Sequence, residues 1–427
     1  MKNNKELDDE LLALIYQFGE FGKTSGGGID RLALSDQDKK ARDHLCTWLT
    51  DNNFSVQIDV VGNIFGVFKI KDALSDKVFI SGSHLDSQPN GGLYDGTVGV
   101  AMACVMGSFL QNEIKNGNRK SLYGYYIIAC WTSEEGARFQ PSLLGSGVFV
   151  GNISLKDALN IKDKEGVLFN DALNKIGYAG KNVDFKPSQY FEVHIEQGNL
   201  LEAKKAPVGI VSNSWGARKL KILIKGKPDH TGPTPMEIRS DALLLASRII
   251  IKVNEIANLS NRTLHSSVGR MDLSPNSPNT VVEEAKLWIE FRGANDLELD
   301  QAEAEINEFM TMNHLASNCD IQQISREVRE AVKFDELAFT RICEAFKRNN
   351  INYLELTTVA GHDALQLQSY CPSILIFIPS KDGISHSPDE YTSDTDILNG
   401  YNASLIALSE LFFEGNKTSE NNNLQRF

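Results

Sequence analysis

The sequence predicts an α/β protein: a mixed sheet flanked by helices, with a ferredoxin-like α+β unit inserted into it. Three observations lead there. Short β-branched and aromatic runs alternate with helical stretches up to residue 212 and again from Phe334, as in a sheet covered on both faces. Between them, residues 213–328 follow the order strand, helix, strand, strand, helix, strand, a β-α-β-β-α-β unit. Finally, His, Asp and Glu recur just after apolar runs, and open α/β sheets gather functional groups at strand carboxyl ends. The expected organisation is therefore 1–212 and 329–414 for the larger domain and 213–328 for the insertion. Residues 415–427, GNKTSENNNLQRF, read as a polar disordered tail.

In chain order, residues 5–20 and 36–52 read as helices. The second starts at a Ser35/Asp36 cap and spaces Ala41, Leu45, Trp48 and Leu49 along one face. Strands follow at 54–60 and 64–70 around the Gly62-Asn63 turn. Lys77-Val78-Phe79-Ile80 is a buried strand that runs into a Gly-rich loop and then a helix over 96–116. Tyr125 to Trp131 is a further strand, 154–176 a helix and 190–195 a strand. The insertion reads as strand Lys219–Lys225, helix Arg239–Leu259, strands Ser266–Met271 and Thr280–Arg292, helix Asp300–Asn313 and a strand near 320–327. A helix from Phe334, a strand at Ser373–Ile378 and a helix from Asp394 resume the first pattern.

Composition narrows the function classes. A length of 427 residues with 41% hydrophobic content suits two domains with sizeable cores. A net charge of −13 argues against nucleic acid as partner, since phosphate backbones want a basic surface. No apolar run approaches the ~20 residues that span a bilayer, so no membrane partner is expected. The start, MKNNKELDDELLALIYQFGEFG, is an acidic amphipathic helix without a signal-peptide core. Six cysteines lack CxxC spacing, which points to reduced thiols and a cytoplasmic location.

Four stretches carry the chemistry. The loop SGSHLDSQPNGGLYDG, residues 81–96, holds His84, Asp86 and Asp95, and its glycines let the backbone fold back on itself. Imidazole plus carboxylate suits zinc and related divalent ions. Glu134-Glu135 follows the strand ending at Trp131, and like charges side by side call for a cation. In Glu192-Val193-His194-Ile195-Glu196-Gln197-Gly198, strand alternation puts Glu192, His194 and Glu196 on one face. His386, in GISHSPDE, again follows an apolar strand. Each stretch alone reads as an ordinary strand end; four in one chain read as a metal site.

GGGIDRLALSDQD, HLDSQPNGGLYDG, EEGARF, HIEQG, HTGPTPM, PNSPNTV, GHDA and GISHSPDE occur in that order across residues 20–412. In this the chain resembles the hydantoinase/carbamoylase amidase branch of the dinuclear zinc exopeptidase superfamily, which holds N-carbamoyl-L-amino-acid hydrolases, β-ureidopropionases and allantoate amidohydrolases. The resemblance implies a catalytic domain with an inserted lid and dimerisation domain. It implies two divalent ions per subunit (Zn, Mn, Co or Ni), and a homodimer with shared active sites acting on a small ureido or N-carbamoyl carboxylate. By that likeness His84, Asp95 and His194 hold one ion, and Asp95, Glu135 and His386 the other. Asp86 orients His84 from behind, and Glu134 is the general base. His230 donates to the oxyanion in the partner subunit's site, and Asn279 and Arg292 grip the substrate carboxylate. Gln197, Arg218, Gly361 and His362 complete the candidate substrate residues.

Two departures stand out. Glu290-Phe291-Arg292-Gly293 keeps the Arg of an Asp-x-Arg-His pattern and loses its His. Position 217 is Ala, where allantoate-specific members resembling it carry Gln, so the expectation favours an N-carbamoyl-L-amino acid over allantoate. A dinuclear peptidase and a non-catalytic metal-stabilised binding protein remain as rivals.

Overall fold

The computed structural model describes residues 2–117, 119–260 and 263–415. The expected tail therefore lies outside the described residues, except for Gly415. The chain divides into two compact units. The first runs to Ser212 and takes in Phe334–Leu356 and the chain from Gly361; the second comprises Asn213–Lys333 and Thr357–Ala360.

The first unit opens with helices α1 (Asn4–Gly19) and α2 (Asp36–Asp51), then strands β1 (Ser55–Ile58), β2 (Ile64–Lys69) and β3 (Val78–His84). Helix α3 (Thr97–Lys115), β4 (Tyr125–Trp131) and the short helices α4 (Leu144–Val150), α5 (Leu155–Leu159) and α6 (Phe169–Ile176) follow. Then come β5 (Pro187–Ile195), α7 (Leu200–Lys204) and β6 (Val208–Ser214). Residues 154–176, expected as one helix, form α5 and α6 instead. Between them Asp163 accepts the N–H groups of Glu165 and Val167 in a turn, and Gly166 has φ +84°. A side chain that bonds nearby backbone in this way offers an alternative to the helical ladder.

The second unit holds β7 (Gly216–Lys225), α8 (Ala242–Leu259), β8 (Leu264–Ser274), β9 (Glu284–Gly293), α9 (Asp296–Ser317) and β10 (Asp320–Arg329). Its strands pair antiparallel in the order β10-β7-β9-β8. β9 alternates half-buried and buried residues along its whole length. Its inward side chains, Ala285, Leu287, Ile289 and Phe291, pack in one core with Leu245, Ile249 and Val253 of α8 and Leu299 and Ile306 of α9.

The chain then adds α10 (Glu336–Arg348), β11 (Tyr353–Thr358), α11 (Asp363–Gln368), β12 (Ser373–Ile378) and α12 (Asp394–Phe412). Among the described residues the large sheet has the order β1-β2-β4-β3-β5-β12-β6-β11. Its centre, β4-β3-β5-β12, is parallel, and β2 and β6 run antiparallel to that centre. β3 and β12 are buried at every position. Burial at every position is what a parallel strand covered on both faces shows. Helix α3 is buried from Thr97 to Gln111, and its Val98, Ala101, Met102 and Val105 share a core with Phe79, Ile128 and Val193 of the sheet. The parallel strands end together, so the loops after β3, β4, β5 and β12 gather at one carboxyl edge.

Candidate metal centre

Five of the sequence-predicted side chains meet at that edge, within the first unit. His84, Asp95 and His194 bring ligand atoms within 4.8 Å of one another, and so do Asp95, Glu135 and His386. Asp95 belongs to both groups and divides its oxygens between them. Its Oδ1 lies 3.4 Å from His84 Nε2 and 3.1 Å from His194 Nε2. Its Oδ2 lies 3.3 Å from His386 Nε2, which is 3.4 Å from Glu135 Oε2.

Local backbone sets this up. His84 is the last residue of β3, and its Nδ1 lies 2.9 Å from the Asp86 carbonyl oxygen. His194 Nδ1 lies 2.9 Å from the Ile195 carbonyl oxygen. With the protons placed on Nδ1, both rings donate to backbone and turn a bare Nε2 toward Asp95. The Gly96 N–H donates to His194 Nε2, which agrees with that tautomer. Gly96 itself has φ +64°, and a Cβ on it would sit 2.5 Å from the His84 ring. Only glycine lets the chain turn from loop into α3 so close to that imidazole.

Asp86 is placed differently from expectation. Its carboxylate is 3.9 Å from His84 Nδ1, and the ring is held by its carbonyl instead. The carboxylate accepts the Glu134 and Glu135 N–H groups at 3.2 and 3.3 Å, so it shapes the loop after β4. Glu134 Oε2 stands 3.5 Å from His84 Nε2. Gln88 Nε2 donates to Glu135 Oε2 at 2.9 Å.

Electrostatics mark the centre as short of positive charge. Burial pushes the Glu134 carboxyl well above the usual carboxylate range, with Asp363 and Glu135 adding to it and His84 opposing. Burial, then Asp95, raises Glu135 to about 7. Burial alone would raise Asp95, but His194, His386 and His84, when protonated, outweigh it and hold the carboxyl well below its ordinary value. The hydrogen bond to Asp95 raises His386 to about 9. Bare Nε2 atoms, a carboxylate shared between two groups and crowded acids are a donor set that fits divalent cations.

Sequence reasoning missed Glu390, which holds the backbone at Asp95, and the partners of Glu192. Glu390, in the GISHSPDE stretch, is buried and accepts the N–H groups of Tyr94 and Asp95 at 2.8 and 3.0 Å. Its other oxygen accepts from Ser385 Oγ at 2.9 Å, and Ser385 Oγ is 3.1 Å from Asp95 Oδ2. Gly92 packs against this carboxyl; a Cβ there would come within 2.0 Å of it. Glu192, on the same face of β5 as His194, turns to Ser83 Oγ and the Ala364 N–H at 2.8 Å each. No period or spacing signals such contacts, which join residues far apart in the chain.

Among the remaining candidates, Gln197 Nε2 donates to Asp95 Oδ2 at 2.7 Å. His362 packs edge-on against His194, with ring centroids 4.6 Å apart. Gly361 stands beside Leu143. The second unit carries the others. His230 and Asn279 are exposed and neighbouring: His230 bridges to Thr280, and the Thr231 N–H donates to the Asn279 carbonyl at 3.3 Å. Arg292, on β9, donates to Glu290 Oε1 and the Val359 carbonyl, each at 3.0 Å. Arg218 is buried and ion-paired with Asp296, Asp300 and Glu330, so its guanidinium serves the packing of the second unit.

Among the described residues, no helix is long and apolar enough to cross a membrane. Comparison with known proteins gives the arrangement its context. An N-carbamoyl-L-amino-acid amidohydrolase of Rhizobium meliloti is 31% identical over 91% of this chain and 92% of its own length. An allantoate amidohydrolase of Bacillus subtilis is 29% identical over 97% and 99%. The crystal structure of a hydantoinase/carbamoylase family amidase from Burkholderia multivorans superposes with a TM-score of 0.82 at 33% identity, covering 94% of this chain and 97% of that one. The sequence profile described as Peptidase family M20/M25/M40 matches residues 80–409, a stretch that contains every candidate ligand above, and the chain belongs to that family.

Proposed function

We propose that the chain is a metal-dependent amidohydrolase that cleaves the carbamoyl C–N bond of an N-carbamoyl-L-amino acid. Water adds and the products are the amino acid, ammonia and carbon dioxide. The observation that carries this reading is the sharing of Asp95 between two ligand groups, with Glu134 beside them and in neither. Two divalent cations held by His84, Asp95 and His194 and by Asp95, Glu135 and His386 would supply Lewis acidity and bring the pKa of water from ~15.7 to about 7.

The protein's own groups do the rest. A ureido carbonyl is a poor electrophile, because two nitrogens feed electrons into it. Glu134 takes the proton from the attacking water and returns it to the leaving nitrogen. In a homodimer, His230 of one subunit donates to the oxyanion formed in the other, and Asn279 and Arg292 hold the carboxylate. A guanidinium fork suits that carboxylate. Exposure of His230 and Asn279 on the second unit suits a role in another subunit's site. Gln197 steadies the shared carboxylate, and His362 buttresses His194. The six unpaired cysteines suit a reducing cytoplasm. Ala217 faces Arg292 across the β7–β9 ladder. Its methyl offers no amide for a second ureido group, which favours a simple N-carbamoyl amino acid over allantoate.

Ammonia release from a panel of N-carbamoyl-L-amino acids, β-ureidopropionate, allantoate and dipeptides, with metal-reconstituted protein, tests the reading. Release from N-carbamoyl-L-amino acids is expected, with Glu134→Gln retaining metal and losing ~10²–10⁴ in kcat. Hydrolysis of dipeptides alone would overturn the substrate assignment, and full activity of Glu134→Gln the base assignment.

A further inference from the structure

We propose that Arg329 joins Arg292 in a two-guanidinium clamp for a ligand carboxylate on the second unit; its link to catalysis rests on the amidohydrolase reading above. The register of the sheet is the first ground. Ala217 of β7 is the direct partner of Arg292 on β9 and of Arg329 on β10. Directly paired residues share a face of the sheet, so two arginines flank one alanine in a single row. Ala217 between them is buried and carries only a methyl.

The guanidiniums converge. Arg292 Nη1 and Arg329 Nη2 donate to the same Val359 carbonyl, at 3.0 and 3.4 Å. Two like charges on one neutral acceptor are under-compensated. Glu290 pairs with Arg292 through Nε at 3.0 Å. Glu327, the nearest acid on β10, pairs with Lys219 at 3.1 Å. Among the described residues Arg329 has no ion-pair partner, and its Nε is buried without a hydrogen bond. Its other donated bond goes to the Trp215 carbonyl at 3.3 Å. A buried guanidinium donor left unmade beside a second guanidinium is what a bidentate carboxylate completes.

Calorimetric titration of the metal-loaded full-length protein tests this. The probes are N-carbamoylglycine and N-acetylglycine, each against its methylamide. The wild type is expected to prefer the carboxylates about 100-fold. Arg329→Gln should cut that preference at least tenfold and leave methylamide binding unchanged, with Arg329→Lys keeping part of it. Ala217→Leu, which adds bulk between the two arginines and removes no charge, should also cut it. An unchanged preference in Arg329→Gln overturns the clamp. So does an equal loss for carboxylate and methylamide, the mark of a merely structural role, and so does a wild type with no preference. If the carboxylate preference depends on Arg329 while no ureido acid releases ammonia, the clamp stands and the amidohydrolase reading falls.

Discussion

A carboxylate set among three imidazoles has two oxygens to distribute, and Asp95 gives one to each side. That division depends on Glu390, which fixes the Asp95 N–H, the Tyr94 N–H and the Ser385 hydroxyl at once. Hydrogen bonds to a charged group are worth ~1.5–3 kcal/mol each. Glu390→Ala should therefore lower affinity for the ion at Asp95, Glu135 and His386 at least tenfold. Metal content per subunit under chelator competition reads this, and unchanged content would remove Glu390 from the site's support. At this scale the sequence placed the candidate ligands at strand ends, and their division between two ions came from the family resemblance. The ligands' supports were not legible. Asp86 was legible as a residue near His84, but its carboxylate turned to the Glu134 and Glu135 N–H groups. Glu390 meets backbone on a distant loop, which no spacing reveals.

Elements place these residues by ending at the right height. β3, β4, β5 and β12 stop together because they are parallel neighbours, and α3 begins where the chain turns back under His84. Gly96 is the tight point of that turn. Gly96→Ala would put an L side chain at φ +64° and a Cβ 2.5 Å from the imidazole. Strained backbone of this kind costs ~1–3 kcal/mol, so thermal melts should show a lower midpoint, and displacement of His84 should show as lost metal. A variant with wild-type melting and metal content would refute the role. β12 was legible from its apolar run, the start of β3 from Val78-Phe79-Ile80, and α2 from a Ser35 cap whose hydroxyl accepts the Asp38 N–H. β11 (Tyr353–Thr358) was missed although its last four residues alternate exposed and buried. The α5–α6 break was hidden because Asp163 competes with the helix only through its own turn.

Across the whole molecule, the division into two units followed from a change of pattern near residue 212. The structure draws the second unit wider than expected, to Lys333, with Thr357–Ala360 added, since β11 begins in one unit and ends in the other. A ligand that binds only the native state stabilises it by ~2.7 kcal/mol at 100-fold excess over Kd. Exhaustive chelation should therefore lower the melting temperature by several degrees, and readdition of Zn, Mn, Co or Ni should restore it; an identical melt would show that no ion is bound. The proposed sharing of active sites between subunits predicts that Glu134→Gln mixed with His230→Ala regains part of the activity each lacks. A mixture no better than either parent would argue that each subunit works alone.

The ligands come from positions 84, 95, 135, 194 and 386, so the centre is assembled from nearly the whole length of the chain. A ribosome must deliver β12 and the loop behind it before His386 can reach Asp95. The proposed second ion would therefore be captured only at the end of biosynthesis, and a nascent chain stalled before residue 380 would present at most the His84, Asp95 and His194 half of the centre.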